Sequence, residues 1–247
     1  MDNFDDKIYW IERHRKYYGD LRSVGVKSYH MNANALKYQM VRERYRCVLS
    51  KLTLPAKSQI LDAGAGTGEF IHLFLNDKRV SQIIATDVSP IALEQLKQKH
   101  PSVQTLTKSI ADIKLPDKST ELIHCFDVLY HIVNDDEWKQ SINNLCRIAL
   151  KYVIIHGEVV NNPRLVSSRH VKSRPFYLFN EIMLKNGFEK KYIVPTHLLS
   201  HKPFIYKING LFPRLFYFID NFCITKFPAL AQHIASYAII VYERRSL

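Results

Sequence analysis

Three glycines at alternate positions, Gly64, Gly66 and Gly68, follow directly on "ILDA" in the stretch "SQILDAGAGTGEF", residues 58–70. Glycine weakens a strand or helix interior, so such a cluster implies a tight turn or close approach of a ligand with no Cβ in the way. In an α/β unit that turn lies where a strand ends and a helix begins, which is where ligands bind. A phosphate-cradling loop requires Gly-Lys-Ser/Thr, and Gly68 is followed by Glu69 and Phe70, which excludes it. The dinucleotide fingerprint G-x-G-x-x-G is demoted by the G-x-G-x-G spacing, although spacing alone leaves it open. Further along, Asp87 closes the apolar run "IIATD", 19 residues past Gly68. Tyr130 and His131 follow "ELIHCFD", and His156 and Glu158 close "YVIIHGE". Histidine titrates near neutrality, so His131 and His156 are the candidate general bases.

The elements that must position these residues are short apolar runs alternating with helical patterns. "QILDAG", "QIIATD", "VQTLTK", "ELIHCFD" and "YVIIHGEV" read as strands. "TGEFIHLFLND", the segment from Ser89-Pro90 to Gln98, and "NDDEWKQSINNLCRIAL" read as helices between them. Upstream, residues 33–52 carry apolar side chains at three- and four-residue spacing and read as an amphipathic helix. Downstream, "FYLFNEIMLKNGF" reads as a helix ended by Gly187, and "EKKYIVPTHLL" and "ASYAIIVYER" as two closing strands. Alternation of this kind describes an α/β domain around a parallel sheet.

The pattern Asp62-x-Gly64-x-Gly66-x-Gly68 resembles motif I of class I S-adenosylmethionine-dependent methyltransferases, and further matches follow in order over residues 56–160. The resemblance implies a Rossmann-like methyltransferase fold: a mostly parallel seven-stranded sheet with an antiparallel last strand, and a helical N-terminal lid. It implies S-adenosylmethionine as cofactor. Asp87 would take the ribose hydroxyls in charge-assisted hydrogen bonds, and Asp112 the adenine amino group. Asp62, Gly64, Ala65, Gly66, Gly68, Val88, Ala111, Ile113 and Phe126 would complete the cofactor site. The implied domains are a lid over residues 1–55 and a catalytic domain over 56–247 carrying an insert at 201–233. The Asn/Asp-Pro-Pro-Tyr/Phe signature of amide and adenine-amino methylation is absent, and no Pro-Cys nucleophile follows the fourth strand.

Net charge is +12, and it is unevenly spread. Residues 1–57 hold 12 basic and 6 acidic side chains, 58–160 hold 10 and 13, and 161–247 hold 13 and 4. Two basic ends can converge on an anionic partner, and equally can form a solvated surface. The N-terminal segment supplies flat and forked side chains for an acceptor pocket, with Tyr17, Tyr18, Arg22 and Tyr29 joining Tyr130 there. The aromatic, basic insert 201–233 has three competing readings: a roof on that pocket, a homodimer interface, or peripheral contact with an anionic membrane. The four cysteines are scattered without ligand spacing, which suits a reducing compartment and argues against zinc. The chain opens without a secretory signal and has no apolar run long enough to span a bilayer, so a cytoplasmic location is expected. The expected activity is methylation of a small-molecule acceptor, anionic in one reading, at oxygen: a natural product, glycan or lipid-linked compound. An RNA methyltransferase and a cofactor-binding scaffold without catalysis are the alternatives. The first draws on a pI near 9.5 but lacks a recognisable RNA-binding module, so nucleic acid is not the expected partner.

Overall fold

Neighbouring residues of a strand face opposite sides of a sheet, and the core divides accordingly. Ile60, Leu122 and Ile154 pack on one side with Tyr45, Phe74 and Leu96. Leu61, Ile123 and Val153 pack on the other with Ile142, Leu145 and Phe179. The computed structural model describes residues 4–29, 31–162, 168–198, 208 and 211–245. Its strands are β1 (Ser58–Ala63), β2 (Val80–Asp87), β3 (Gln104–Thr107), β4 (Thr120–Phe126), β5 (Ala149–Glu158), β6 (Phe188–His197) and β7 (Tyr237–Arg244). They form one seven-stranded sheet in the order β3-β2-β1-β4-β5-β7-β6. Only β7 runs antiparallel, to β5 and β6, as expected. The chain reverses its direction of travel across the sheet between β1 and β4, which places a crevice at the C-terminal ends of these strands.

Helices α1 (Asp6–Lys16) and α2 (Met31–Leu49) precede the sheet. Then come α3 (Pro90–Lys99), α4 (Asp135–Ile148), α5 (Phe176–Lys185), α6 (Pro213–Lys226) and α7 (Pro228–Ile234). Local chemistry sets their ends. Ser89 caps α3 ahead of Pro90, and Asn134 caps α4, whose first turn holds Asp135, Asp136 and Glu137 against the helix dipole. Gly187, at φ +79°, stops α5. One expectation is overturned: "TGEFIHLFLND" is not an α-helix. Its backbone bonds, Ile71 to Gly68 and Phe74 to Ile71 among them, span three residues, and only Ile71–Leu73 forms a 3-10 turn. Gly68 is left-handed (φ +84°) and cannot open a helix, while Phe70, Ile71 and Phe74 are drawn into the core.

His124 on β4 is fully buried among the rings of Tyr45, Phe74 and Phe126. Burial pushes its pKa down to about 3, so it stays neutral in the fold while the unfolded chain takes up a proton below its ordinary 6.5. Its contribution is therefore neutral above that value and turns destabilising as pH falls toward the folded one. Asp62, buried nearby and raised well above its ordinary pKa by burial and then by Asp87, acts in the opposite sense. We expect His124→Phe to recover about 2 kcal/mol of the stability that the wild type loses between pH 7 and pH 5. Denaturant melts at both pH values measure the difference. Parallel curves for variant and wild type would mean that His124 is protonated in the fold.

Candidate functional site

After β1 the chain must turn sharply under α2 and back toward α3, and the three glycines do this in the left-handed region, at φ +78°, +52° and +84°. A Cβ on Gly64 would stand 2.3 Å from Val128, and one on Gly66 2.6 Å from Val24. Asp87, at the end of β2, braces the loop: its two oxygens accept from the amides of Gly66 and Ser89, each at 2.9 Å. Each oxygen keeps a further lone pair for hydroxyl donors. Beneath the loop, Asp62 is buried with Oδ2 unpartnered among the described residues. Together these groups line a cleft of about 950 Å³, measured to its open mouth, with Val88, Ile110 and Phe126 as apolar walls.

The N-terminal segment closes this cleft from above. Asp6, Trp10 and His14 recur along one face of α1 and line it, with Lys7 and Val24. The helix is held at both ends. Asp6 accepts from the Val133 amide at 3.1 Å and Lys7 pairs with Glu137 at 3.0 Å; beyond the helix the Gly19 amide donates to Gln95 on α3 at 2.8 Å. His14 is buried, and its burial lowers its pKa while Asp87 and a hydrogen bond to the Trp10 backbone oppose the shift.

The opposite wall is built at the exit of β4. Asp127 adopts a left-handed backbone (φ +58°), uncommon for a non-glycine residue. Its carboxylate meets Lys37 of α2 at 3.1 Å and His156 of β5 at 2.9 Å, and accepts a hydrogen bond from Tyr130. Burial alone would raise this carboxyl, but His156 and Lys37 outweigh it and hold the pKa well below the usual range. His156 Nε2 lies 2.9 Å from the Thr196 hydroxyl, so both its nitrogens are engaged. His131 stands in the cleft between Trp10 and Tyr130, with ring centroids 4.7 and 4.4 Å away. Its Nδ1 lies 2.8 Å from the carbonyl of His170, which makes Nδ1 the donor and leaves Nε2 as the acceptor of a neutral ring. Burial lowers its pKa to about 3.

Of the cofactor residues expected from sequence, Asp62, Gly64, Ala65, Gly66, Asp87, Val88 and Phe126 line the cleft. Gly68 packs instead against Leu96, and Ala111, Asp112 and Ile113 lie just past the wall formed by Ser109 and Ile110. Asp112 is turned back onto the Ser109 hydroxyl at 2.7 Å. Of the expected acceptor residues, Tyr130 borders a smaller hollow shared with His156, Glu158 and Arg174, and none lines the main cleft. Tyr17 and Arg22 stack on each other, Tyr18 is exposed and reaches Gln98, and Tyr29 is buried. Aromatic content pointed to the right segment, but helix phase selected Trp10 and His14. The described residues of the insert do not line the cleft, and residues 201–207, 209 and 210 of it lie outside the described residues. Lys37 and Asp127 were missed; Asp127 ends a strand at the cleft, but nothing in the sequence ties it to a lysine 90 residues earlier.

Residues 60–151 match the family described as a methyltransferase domain. Over this segment the chain is similar to a methyltransferase domain, and the fold around it is the Rossmann-like methyltransferase fold. An uncharacterized methyltransferase-like protein of Schizosaccharomyces pombe is 31% identical over 93 residues, 38% of this chain and 36% of that protein. A probable S-adenosylmethionine-dependent methyltransferase of Mycobacterium tuberculosis is 30% identical over 82 residues, 33% of this chain and 27% of its own length. The chain thus spans about a third of the curated relatives it matches. Across the whole fold, it resembles the magnesium protoporphyrin IX methyltransferase of Synechocystis PCC 6803 with bound SAM, at a TM-score of 0.62 and 16% identity. That alignment covers 99% of this chain and 100% of the other.

The cleft suits S-adenosylmethionine in the chemistry of its donors. Asp62 Oδ2 is a buried acceptor awaiting a cationic or N–H donor, Asp87 offers lone pairs to a vicinal diol, and the glycine backbone admits close approach. A direct test of the closure concerns Gly66. Gly66→Ala places a methyl against Val24 in a backbone that disfavours it, and should cost about 1–3 kcal/mol and speed proteolysis within residues 4–25. Adding Val24→Ala removes the collision but not the strain, so it should return part of the loss. If the two losses simply add, Val24 does not seat on the glycine loop.

Proposed function

We propose that the chain binds S-adenosylmethionine in the cleft between the glycine loop and α1, and methylates an oxygen of a small-molecule acceptor. The observation that carries this reading is Asp87: a carboxylate at the end of β2, oriented by two loop amides and still able to accept. When bound, the cofactor supplies an electrophilic methyl carbon on a sulfonium. The acceptor enters beside the β4 exit, where His131, Asp127 and Tyr130 converge. The expected fold, the basic N-terminal and C-terminal regions and the aromatic closure support a natural product, glycan or lipid-linked acceptor.

Neither flanking group is a strong base. Asp127 is committed to Lys37 and His156, and His131 is depressed to about 3. An alkylated oxygen is far more acidic than the hydroxyl it came from. A weak base already hydrogen-bonded to that hydroxyl therefore suffices to take the proton as the new bond forms. His131 Nε2, fixed as an acceptor by the His170 carbonyl, fits this role: it orients the acceptor and removes the proton late. His156, with both nitrogens engaged, positions Asp127.

Asp87→Ala should weaken S-adenosylmethionine binding by about 2–4 kcal/mol with the fold retained, because charge-assisted hydrogen bonds are lost. Calorimetry giving wild-type affinity would remove the assignment, and tighter binding of NADH than of the methyl donor would favour a dinucleotide site. His131→Ala should lower turnover about 10²-fold with cofactor affinity unchanged. Because the depressed value lies near 3, wild-type kcat should carry no histidine limb near pH 6.5. A limb there that vanishes in His131→Ala would show a conventional base instead.

A further inference from the structure

Helix α6 is packed the wrong way round for a core element. Its one fully buried residue is Asp220, whereas Leu215 and Phe218 are more than half exposed. Polar contacts hold it in this orientation. Tyr217 donates to Glu43 on α2 at 2.6 Å, Arg44 donates to Asn221 at 3.3 Å, and Asp220 Oδ2 accepts from the Leu198 amide at 3.3 Å. With the polar side tied to α2 and β6, the apolar side faces outward. Leu215, Phe218 and Phe222 recur at spacings of three and four, which aligns them in one stripe, and Leu211 is exposed just ahead of the helix. Phe227, Leu230 and Ile234 continue the exposed apolar surface along α7, at spacings of three and four. Monomeric proteins seldom leave so many large apolar side chains contiguous and open.

The charge on this face identifies its occupant. Between residues 211 and 234 the only acidic side chain is the buried Asp220, while Arg214 and Lys226 are exposed beside the stripe. The chain as a whole carries +12. A second copy would bring the same cations and the same net charge against this surface, whereas an anionic lipid surface complements both. None of the described helices is long and apolar enough to cross a membrane, which is compatible with a helix lying in the interface plane. We infer that the α6–α7 face is a docking surface for an anionic lipid bilayer, its Phe and Leu stripe entering the headgroup–acyl boundary and Arg214 and Lys226 meeting lipid phosphates. This does not rest on the methyl-transfer reading, since the face lies outside the cleft.

The test is flotation of the full chain with phosphatidylcholine vesicles, with and without phosphatidylglycerol, over a range of salt. Binding should require phosphatidylglycerol and weaken with salt. Leu215→Ser/Phe218→Ser and Arg214→Glu/Lys226→Glu should each reduce partitioning at least ~10-fold. Cofactor affinity and circular dichroism should be unchanged in both, because neither pair touches the cleft. No binding to either vesicle, or binding that survives loss of the apolar pair, overturns the proposal. So does a concentration-dependent dimer in sedimentation that Leu215→Ser/Phe218→Ser disperses, which would make the occupant a second copy.

Discussion

The Asp127 carboxylate is the contact on which the geometry of the cleft depends. It is reached by Lys37 from α2, His156 from β5 and Tyr130 from the turn beyond β4, in a backbone conformation that costs energy unless its surroundings enforce it. A buried carboxylate is tolerable only when paired, and each pairing here fixes a different element. Lys37 sets the rotation of α2 against the sheet. His156 locks β5 to the β4 exit, where Phe126 already stands beside it in register. Tyr130 then separates the main cleft from the smaller hollow behind it. Remove the charge and three elements lose their common reference.

The two walls of the cleft follow different physical rules. The glycine wall is a backbone problem: left-handed turns, amides aimed at Asp87 and no room for a Cβ. The α1 wall is a side-chain problem, held at its edges by Asp6, Lys7 and a glycine amide and filled by Trp10 and His14. Edge contacts of this kind are individually weak and partly exposed, so a helix held by them is suited to open and reclose. A buried imidazole, His14, inside such a closure keeps one ring nitrogen for whatever the cleft encloses.

What could be read from the sequence was what the backbone dictates. Gly64, Gly66 and Asp87 announce themselves because few residues adopt those turns and few strand ends carry a lone carboxylate. The α/β class followed from the alternation of strands and helices, and the antiparallel closing strand from the resemblance to a known fold. Side-chain convergence was not legible. Tyr17, Tyr18, Arg22 and Tyr29 were chosen by composition; they lie beyond the end of α1, whereas the face of α1 that lines the cleft carries Asp6, Trp10 and His14. Asp112 was placed by the resemblance, and one of its carboxylate oxygens accepts from the Ser109 hydroxyl one turn earlier. The helix expected after Gly68 failed because local propensity gave way to burial of Phe70, Ile71 and Phe74.

Helix α2 connects the two halves of this picture. Lys37 and Arg44 are seven residues apart, two turns on one face, so roughly 10 Å separates them along the axis. Lys37 enters the carboxylate cluster at the cleft, and the largely buried Arg44 reaches Asn221 on the helix whose apolar side faces outward. A buried cation satisfied only in one geometry specifies register more than it stabilises. Two of them on one straight helix therefore fix the orientation of the outward stripe relative to the cleft. Rotating α2 far enough to bury the stripe would pull Lys37 from Asp127 and unseat that wall of the cleft. The exposed face is thus a consequence of how the site is built, which is why the fold keeps an apolar surface that packing alone would have turned inward.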